Sequence, residues 1–287
     1  MRIPRHWTKA SYTGQDADGK DLTCSAWGWS LDSLAAAKDD AVARARRVFD
    51  YLVHGTKLDA YEYFDRPMRE EIVQTLHDDG RDIAVITRNR YGALVLNAAS
   101  VLFVDIDYPL VKGQGLWDAI LLGFSRTRRQ QRAAALREVT LDAVREWSQE
   151  NPSHSFRIYR TRAGLRLLFV DKLYQPKSEE TGRILAELGS DPLYRTLTLK
   201  QECFRARLTP KPWRCGWRSP PNEYPWKDQQ AERAYRDWER RYEKASQRYR
   251  VCELVQTCGH IAADGEISAV VELHDRLTGG DSGRELA

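Results

Sequence analysis

The sequence lacks any long hydrophobic run. None of its apolar segments approaches the roughly 20 residues that a membrane-spanning helix requires. The N-terminal residues 1–7 are basic and lack the apolar stretch of a secretory signal. The five cysteines are an odd and scattered set, which fits reduced thiols better than a disulfide framework. We therefore expect a soluble, cytoplasmic protein with no membrane partner.

Several catalytic and metal-binding motifs are also missing. There is no Walker loop, no GxSxG turn and no HExxH or HxxxH pair, which counts against a P-loop NTPase, an α/β-hydrolase and a zincin. Cys252, Cys258 and His260 lie close together in the chain. Their spacing does not match a paired CxxC knuckle, so we do not favour a zinc site there, although the sequence leaves it open.

The chain has the proportion of hydrophobic and charged residues that is usual for a globular protein, but its charges are unevenly distributed along the sequence. Of its 287 residues, 42% are hydrophobic and 30% are charged, enough for a sizeable core. The net charge is +4, but basic residues gather in the segments 126–137 and 195–218, the second opposed only by Glu202. Such blocks indicate a polyanionic partner, either nucleic acid or nucleotides. The alternative is a solvated helix face, which suits the first segment better.

The hydrophobic pattern predicts an α+β protein, with a central mixed β-sheet flanked by helices. Apolar runs at 83–87, 93–97 and 101–107 are typical of central strands that are covered on both faces. Two further apolar segments around Arg162–Gly164 predict a hairpin, because glycine can adopt the positive φ of a tight turn. The expected divisions are an N-terminal α/β extension at 1–80, a core at 81–225 and a C-terminal helical segment and tail at 226–287.

The helices are predicted from caps and periodicity. A helix capped by Ser30 or Asp32 runs to about Val53, and a second spans Met68 to His77. A long helical region occupies about 116–150, with a possible break near Thr140, and helical segments follow at 177–202 and 227–250. In the last of these, Tyr235, Trp238 and Tyr242 recur at helical spacing, which predicts core packing. The final ten or so residues are expected to fray.

The strongest candidate for chemistry is the acidic end of the run Val101–Asp107. Alternate residues of a strand share a face, so Asp105 and Asp107 point the same way. Burying two carboxylates without a counter-charge costs several kcal/mol. A divalent cation removes that cost, and Mg²⁺ or Mn²⁺ prefers carboxylate oxygen. We therefore predict that both residues bind metal and are catalytic, unless they simply meet solvent or an arginine at the strand end.

Two further segments carry candidate phosphate ligands. The predicted hairpin places Thr161, Arg162, Gly164 and Arg166 at a turn, where guanidiniums and backbone N–H groups could hold the phosphates of a nucleotide; the alternative is a plain basic hairpin. In the segment 203–218, tryptophan alternates with basic residues, which suits nucleic-acid backbone and stacked bases as well as internal Arg-on-Trp packing. The candidate nucleic-acid ligands there are Arg205, Arg207, Lys211, Trp213 and Arg214.

The order of these features over residues 83–210 resembles the archaeo-eukaryotic primase (primase-polymerase) superfamily. Leu102–Asp107 looks like its hydrophobic-Asp-hydrophobic-Asp motif, and Ile158–Phe169 looks like its following hairpin motif in layout. The resemblance implies a core similar to an RNA-recognition motif and Mg²⁺- or Mn²⁺-dependent nucleotidyl transfer in DNA replication. Single-stranded or template DNA or RNA and nucleotides would be its partners.

Two departures from the family pattern keep other functions open. Arg166 stands where the family has a phosphate-binding histidine, and no later strand offers a clear third acid; Asp171 and Glu202 are the nearest candidates. A primase-polymerase-like nucleotidyltransferase is therefore the first hypothesis. A non-catalytic nucleic-acid-binding protein on a degenerate version of the fold is the second, and a metal-dependent nuclease using the same two acids is the third.

Overall fold

The computed structural model describes residues 1–55, 67–111, 125–260, 262–279 and 283–287. Its first unit is an antiparallel hairpin of β1 (His6–Gln15) and β2 (Asp21–Ser30), covered on one face by α1 (Leu34–His54). The helix begins at Ser33, whose side chain accepts from the Ala36 N–H, rather than at the predicted caps. It packs so closely that a Cβ on Gly28 would lie 2.1 Å from the Ala41 nitrogen. The opposite face of the hairpin is therefore left for other contacts.

One four-stranded sheet has the order β3-β4-β5-β9 and is antiparallel. Its strands are β3 (Glu71–Asp78), β4 (Arg81–Arg88), β5 (Leu94–Ala98) and β9 (Phe204–Arg207). The predicted helix from Met68 to His77 is wrong, because most of this segment forms β3 and pairs with β4. The β-branched residues Ile72, Val73 and Thr75 favour a strand. Pairing with β4 stabilises the strand over the helix that the caps predicted.

The other four-stranded sheet has the order β11-β7-β8-β6 and is also antiparallel. It contains β6 (Phe103–Asp107), the predicted hairpin of β7 (Phe156–Thr161) and β8 (Gly164–Phe169), and β11 (Cys252–Cys258). The α+β class is confirmed, but the single central mixed sheet is wrong, since two separate sheets take its place. Although β6 is an edge strand, Phe103 and Val104 are fully buried, and β9 of the other sheet lies beside it.

The remaining helices surround these sheets. They are α2 (Arg126–Glu150), α3 (Glu179–Glu187), α4 (Pro192–Gln201), α5 (Gln229–Ser246) and α6 (Gly265–Thr278). α2 continues past Thr140 without a break, and the part of its predicted range before residue 125 lies outside the described residues. None of the described helices is both long and apolar enough to cross a membrane.

The C-terminal segment is integrated with the rest of the fold. β11 completes the sheet that contains β6, and the short strands β10 (Tyr249–Arg250) and β12 (Glu285–Leu286) pair in parallel. Ala287 is only 1% exposed, so the predicted frayed end is wrong for the described residues 283–287. The three predicted divisions stay a prediction; the first boundary falls inside the β3–β4 hairpin.

Candidate functional site: a cation cluster between the two sheets

Asp105 and Asp107 lie on one face of β6, and Asp105 is directly opposite Arg166 of β8 in the strand register. Arg166 binds Asp105 through two hydrogen bonds, Nε to Oδ1 at 2.8 Å and Nη2 to Oδ2 at 3.2 Å. Its Nη1 donates to the Arg207 carbonyl at 2.9 Å and so ties β8 to β9. The Arg166 side chain is only 2% exposed. Arg166 thus holds the two sheets together and has little surface for the phosphate role that the sequence suggested.

Asp107, at the end of β6, lies opposite Gly164 instead of an arginine, and its carboxylate is only partly shielded from solvent. Burial of its carboxylate, followed by the negative charges of Asp105 and Asp191, raises its pKa. Asp191 caps α4, accepting from the Leu193 N–H at 2.8 Å. It is the acid that the sequence reasoning missed; an N-cap position before proline was the available signal. The expected third acids are engaged elsewhere, Glu202 with Lys177 and Asp171 with His154.

The β7–β8 turn is held by its own side chains. The Thr161 hydroxyl accepts from the Gly164 N–H at 3.0 Å and donates to the Gly164 carbonyl at 3.1 Å. Gly164 does not have the predicted positive φ. Glycine is needed at this position because there is no room for a side chain: a Cβ would lie 1.9 Å from the Ile106 carbonyl oxygen. Thr161 and Gly164 are explained by the hairpin itself, while Arg162 is exposed at its tip.

Three basic residues gather beside this acidic pair, and we name Arg207, Lys211 and Arg214 the cation cluster. The Nε of Arg207 is shielded from solvent and has no hydrogen-bond partner. Burial, followed by the like charge of Arg166, lowers the Arg207 pKa to about 10. Arginine keeps its proton at neutral pH. The lowered pKa therefore means that nearby negative charge does not fully offset the burial of this guanidinium and its repulsion by Arg166.

The other two members of the cation cluster show the same imbalance. Burial and then the charges of Arg207 and Arg214 lower the pKa of Lys211, against the opposing effect of Asp107. Burial and then Arg162 lower the pKa of Arg214. Within the described part of the chain, no carboxylate forms an ion pair with any cluster member. A bound anion would therefore relieve repulsion among cations that already face one another.

The loop that carries Lys211 and Arg214 is anchored from beneath by α5. The Tyr242 hydroxyl donates to the Pro210 carbonyl at 2.5 Å, and the Trp238 indole donates to the Arg218 carbonyl at 2.9 Å. Cys215 is buried against these rings. The predicted core packing of the aromatic stripe on α5 is confirmed. These contacts fix the position of the basic loop on α5.

Trp213 lies on the outer side of the same loop and is 50% exposed. The Lys211 Nζ is 5.5 Å from its ring centroid, and the Tyr91 ring packs edge-on at 5.2 Å between centroids. Trp213 is thus an exposed aromatic face next to the cation cluster. Arg205, by contrast, forms an ion pair within the fold: its Nη2 lies 2.7 Å from both carboxylate oxygens of Glu70.

A groove of about 790 Å³ opens beside the cation cluster, between the hairpin of β1 and β2 and the sheet that contains β9. Arg207 and Asp105 lie at its inner wall, and Tyr91 lies along its side. Its hairpin wall is formed by Trp7, Trp27 and Trp29. Because residues 27 and 29 are two positions apart on one strand, both rings lie on the same face.

Comparison with protein-family models, curated proteins and solved structures finds no match to this chain. The resemblance to the primase-polymerase superfamily therefore stays a hypothesis that rests on the motif-like segments themselves.

In this arrangement the Asp105 carboxylate is engaged by Arg166 rather than free for a metal ion. Both carboxylate oxygens of Asp105 already accept hydrogen bonds from a buried guanidinium, and the positive charges of Arg207 and Lys211 lie nearby. A cation placed there would be repelled by these charges, although Asp107 and Asp191 supply further negative charge. The described residues contain no group of three or more His, Cys, Asp or Glu that could hold a metal together.

The zinc set considered from the sequence is also separated by the fold. Cys252 and Cys258 begin and end β11, and a strand of that length holds its ends about 20 Å apart. The two thiols therefore cannot share one ion. Cys252 instead contacts the buried His274, with 3.9 Å between Sγ and Nε2.

Proposed function

We propose that this protein binds single-stranded nucleic acid, with the phosphate backbone on the cation cluster and a base stacked on Trp213. The observation that carries the proposal is the Arg207 guanidinium, which is largely buried, has an unpartnered Nε and is repelled by a neighbouring arginine. A buried donor without a partner costs about 1–3 kcal/mol. A phosphate oxygen would supply both the missing acceptor and the missing negative charge.

The arrangement of charges favours an extended anion over a single small one. The charges of Arg207 and Arg214 act on Lys211, and the charge of Arg162, at the tip of the β7–β8 hairpin, acts on Arg214. Four neighbouring positive charges suit several phosphates of one strand. Arg205 and Arg166 are left out of the proposal because Glu70 and Asp105 already compensate them.

The aromatic component favours a strand with unpaired bases. Trp213 presents a half-exposed ring beside Lys211, and an exposed tryptophan among cations is the usual platform on which an unpaired base stacks. In a duplex the bases are stacked on each other and this ring would have no partner. The proposal corresponds to a non-catalytic protein on a degenerate primase-like core.

Metal-dependent nucleotidyl transfer is the second candidate, and a nuclease with the same acids is its variant. The observation that favours it is Asp107, whose carboxylate is close enough to Asp105 and Asp191 for their charges to raise its pKa. In that case the Asp107→Asn protein should lose Mn²⁺ binding by calorimetry and lose nucleotide incorporation or strand cleavage. The binding proposal expects neither activity in the wild type.

The test of the proposal is fluorescence anisotropy with a labelled oligonucleotide of about 12 nucleotides, within the range that one binding module covers, over a salt series. We expect affinity to fall steeply with salt, because bound phosphates release counterions. The Lys211→Ala/Arg214→Ala protein should bind more weakly, with a salt slope smaller by about 1.4, or about 0.7 for each lost contact to a single strand.

Lys227→Ala is the matched control, because Lys227 is 79% exposed and precedes α5, outside the loop that carries Lys211 and Arg214. It removes a positive charge without touching the site, so its salt slope should equal that of the wild type. If both variants change the slope equally, binding is diffuse and the cation cluster is not the site. If the wild type does not bind at low salt, the function proposed here is wrong.

A further inference from the structure

The tryptophan wall of the groove beside the cation cluster has no explanation in the packing of the hairpin. In the β1–β2 register, Trp7 is opposite Trp29 and Lys9 is opposite Trp27. All three tryptophans lie on the face opposite to α1, because residues packed on the helix occupy the alternate positions, such as Gly28. A hairpin face that only met solvent would carry polar residues, as Ser11, Thr13, Thr23 and Ser25 do further along the same face.

Two of these indoles also have unused hydrogen-bonding capacity. The Nε1–H groups of Trp7 and Trp29 are shielded from solvent and have no partner. Buried indole N–H groups normally find an acceptor, and a ligand that carries ring nitrogens and carbonyl oxygens would provide one. Cations border the same space: the Arg69 guanidinium is 5.7 Å from the Trp27 ring centroid, and Arg207 lies at the inner wall.

The groove is continuous with the proposed nucleic-acid site in two places. Arg207 belongs both to the cation cluster and to the groove wall. Tyr91 lines the groove and packs against Trp213, the ring next to Lys211. A strand whose phosphates cross the cation cluster could therefore turn its bases toward Trp213 on one side and into the groove on the other.

We propose that this tryptophan groove is a base-binding site that takes unpaired nucleobases of the bound strand between Trp27, Trp29 and Tyr91. The inference rests on the proposed function and deepens it by assigning the base contacts. Its volume of about 790 Å³ falls within the range of about 300–1,000 Å³ that is usual for pockets that bind small organic groups. Stacking on aromatic faces tolerates any base, so we expect little sequence preference.

The test compares a thymidine oligonucleotide with an abasic strand of the same length, which keeps the phosphates and lacks the bases. Each is titrated by anisotropy into the wild type, Trp27→Ala and Trp27→Phe. Trp27→Ala should weaken binding of the thymidine strand by about 5- to 150-fold and leave binding of the abasic strand unchanged. Trp27→Phe should keep most of the affinity, since an aromatic face remains. If Trp27→Ala fails to melt cooperatively, Trp27→Leu, which keeps side-chain bulk but has no aromatic face, takes its place with the same expected loss. A uridine oligoribonucleotide should show the same loss, because stacking does not involve the sugar.

Tyr51→Ala is the matched control, because Tyr51 is an exposed aromatic residue of the same N-terminal unit on α1 and does not line the groove. It should bind both strands as the wild type does. Equal thymidine affinity in the wild type and Trp27→Ala would overturn the groove assignment while leaving the cation-cluster function standing. If neither strand binds the wild type, the proposed function fails and the groove assignment fails with it.

Discussion

Replacing Asp105 by asparagine separates the two roles that this residue could have. In the structure its carboxylate compensates Arg166 through two hydrogen bonds, and Arg166 is almost wholly buried. Removing one partner of a buried ion pair typically costs about 3–5 kcal/mol, because the other charge stays buried and unpaired. The Asp105 side chain is 40% exposed, and solvent screens part of the loss. We therefore expect a decrease of about 2–4 kcal/mol in the free energy of unfolding.

The assay is thermal unfolding followed by circular dichroism. A loss of that size should lower Tm by about 4–8 °C in a chain of this length. The Asp105→Asn/Arg166→Met protein should recover part of the loss, because it no longer buries an unpaired charge. Asp107→Asn is the control on the same strand face. Asp107 has a raised pKa, so its charge opposes folding, and removing it should leave Tm unchanged or slightly higher.

The opposite pattern would refute this reasoning. If Asp105 and Asp107 form a metal site, asparagine at both positions relieves carboxylate repulsion, and the variants should melt at or above the wild-type temperature in the absence of metal. An Asp105→Asn protein that is as stable as the wild type, and that has lost a Mn²⁺-binding isotherm shown by the wild type, would establish the metal site. Arg166 would then need another source of compensation.

Three further predictions concern the site and its support. Because burial and the neighbouring cations lower the Lys211 pKa, oligonucleotide affinity should start to fall at a lower pH than an ordinary lysine would cause; Lys211→Arg should remove this fall, and an unchanged profile would exclude Lys211 from the interface. Trp213→Ala should weaken oligonucleotide binding by about 1–3 kcal/mol at every salt concentration without changing the salt slope; a lowered Tm with unaltered affinity would mean that Trp213 serves packing alone. Gly164→Ala should lower the free energy of unfolding by about 2 kcal/mol or more, because its Cβ would collide with the Ile106 carbonyl. The control is Gly182→Ala in α3, where nothing lies within 4 Å of the added Cβ; in the same melting experiment it should be neutral or stabilising by about 0.5–1 kcal/mol.

The pH dependence of stability gives the sign of the Asp107 effect. Its folded-state pKa is raised above its ordinary value, so the folded protein binds the proton more tightly than the unfolded chain. This contribution to stability therefore increases as pH falls through the raised pKa, and it is lost as pH rises. The Asp107→Asn control should lack that contribution.

Local patterns in the sequence were sufficient for the elements that carry the site. The apolar run Val101–Asp107 identified β6, and two apolar segments around a short turn identified the β7–β8 hairpin. Alternation along a strand placed Asp105 and Asp107 on a shared face. These inferences succeeded because each depends on neighbours within a few residues. The Met68–His77 helix failed because the choice was made by pairing with β4.

Only the tertiary structure decided which charges are compensated. Arg205 is paired with Glu70, 135 residues away in the chain, and Arg166 is paired with Asp105 across the strand register. Arg207, two residues from Arg205, has no such partner for its Nε. In the sequence the three arginines look alike, because an ion pair between distant residues is fixed by how the sheets meet and not by local composition. The meeting of β6 and β9 brings Arg207 close to Lys211 and Arg214, and it is the physical reason for our proposal that these residues bind an anion.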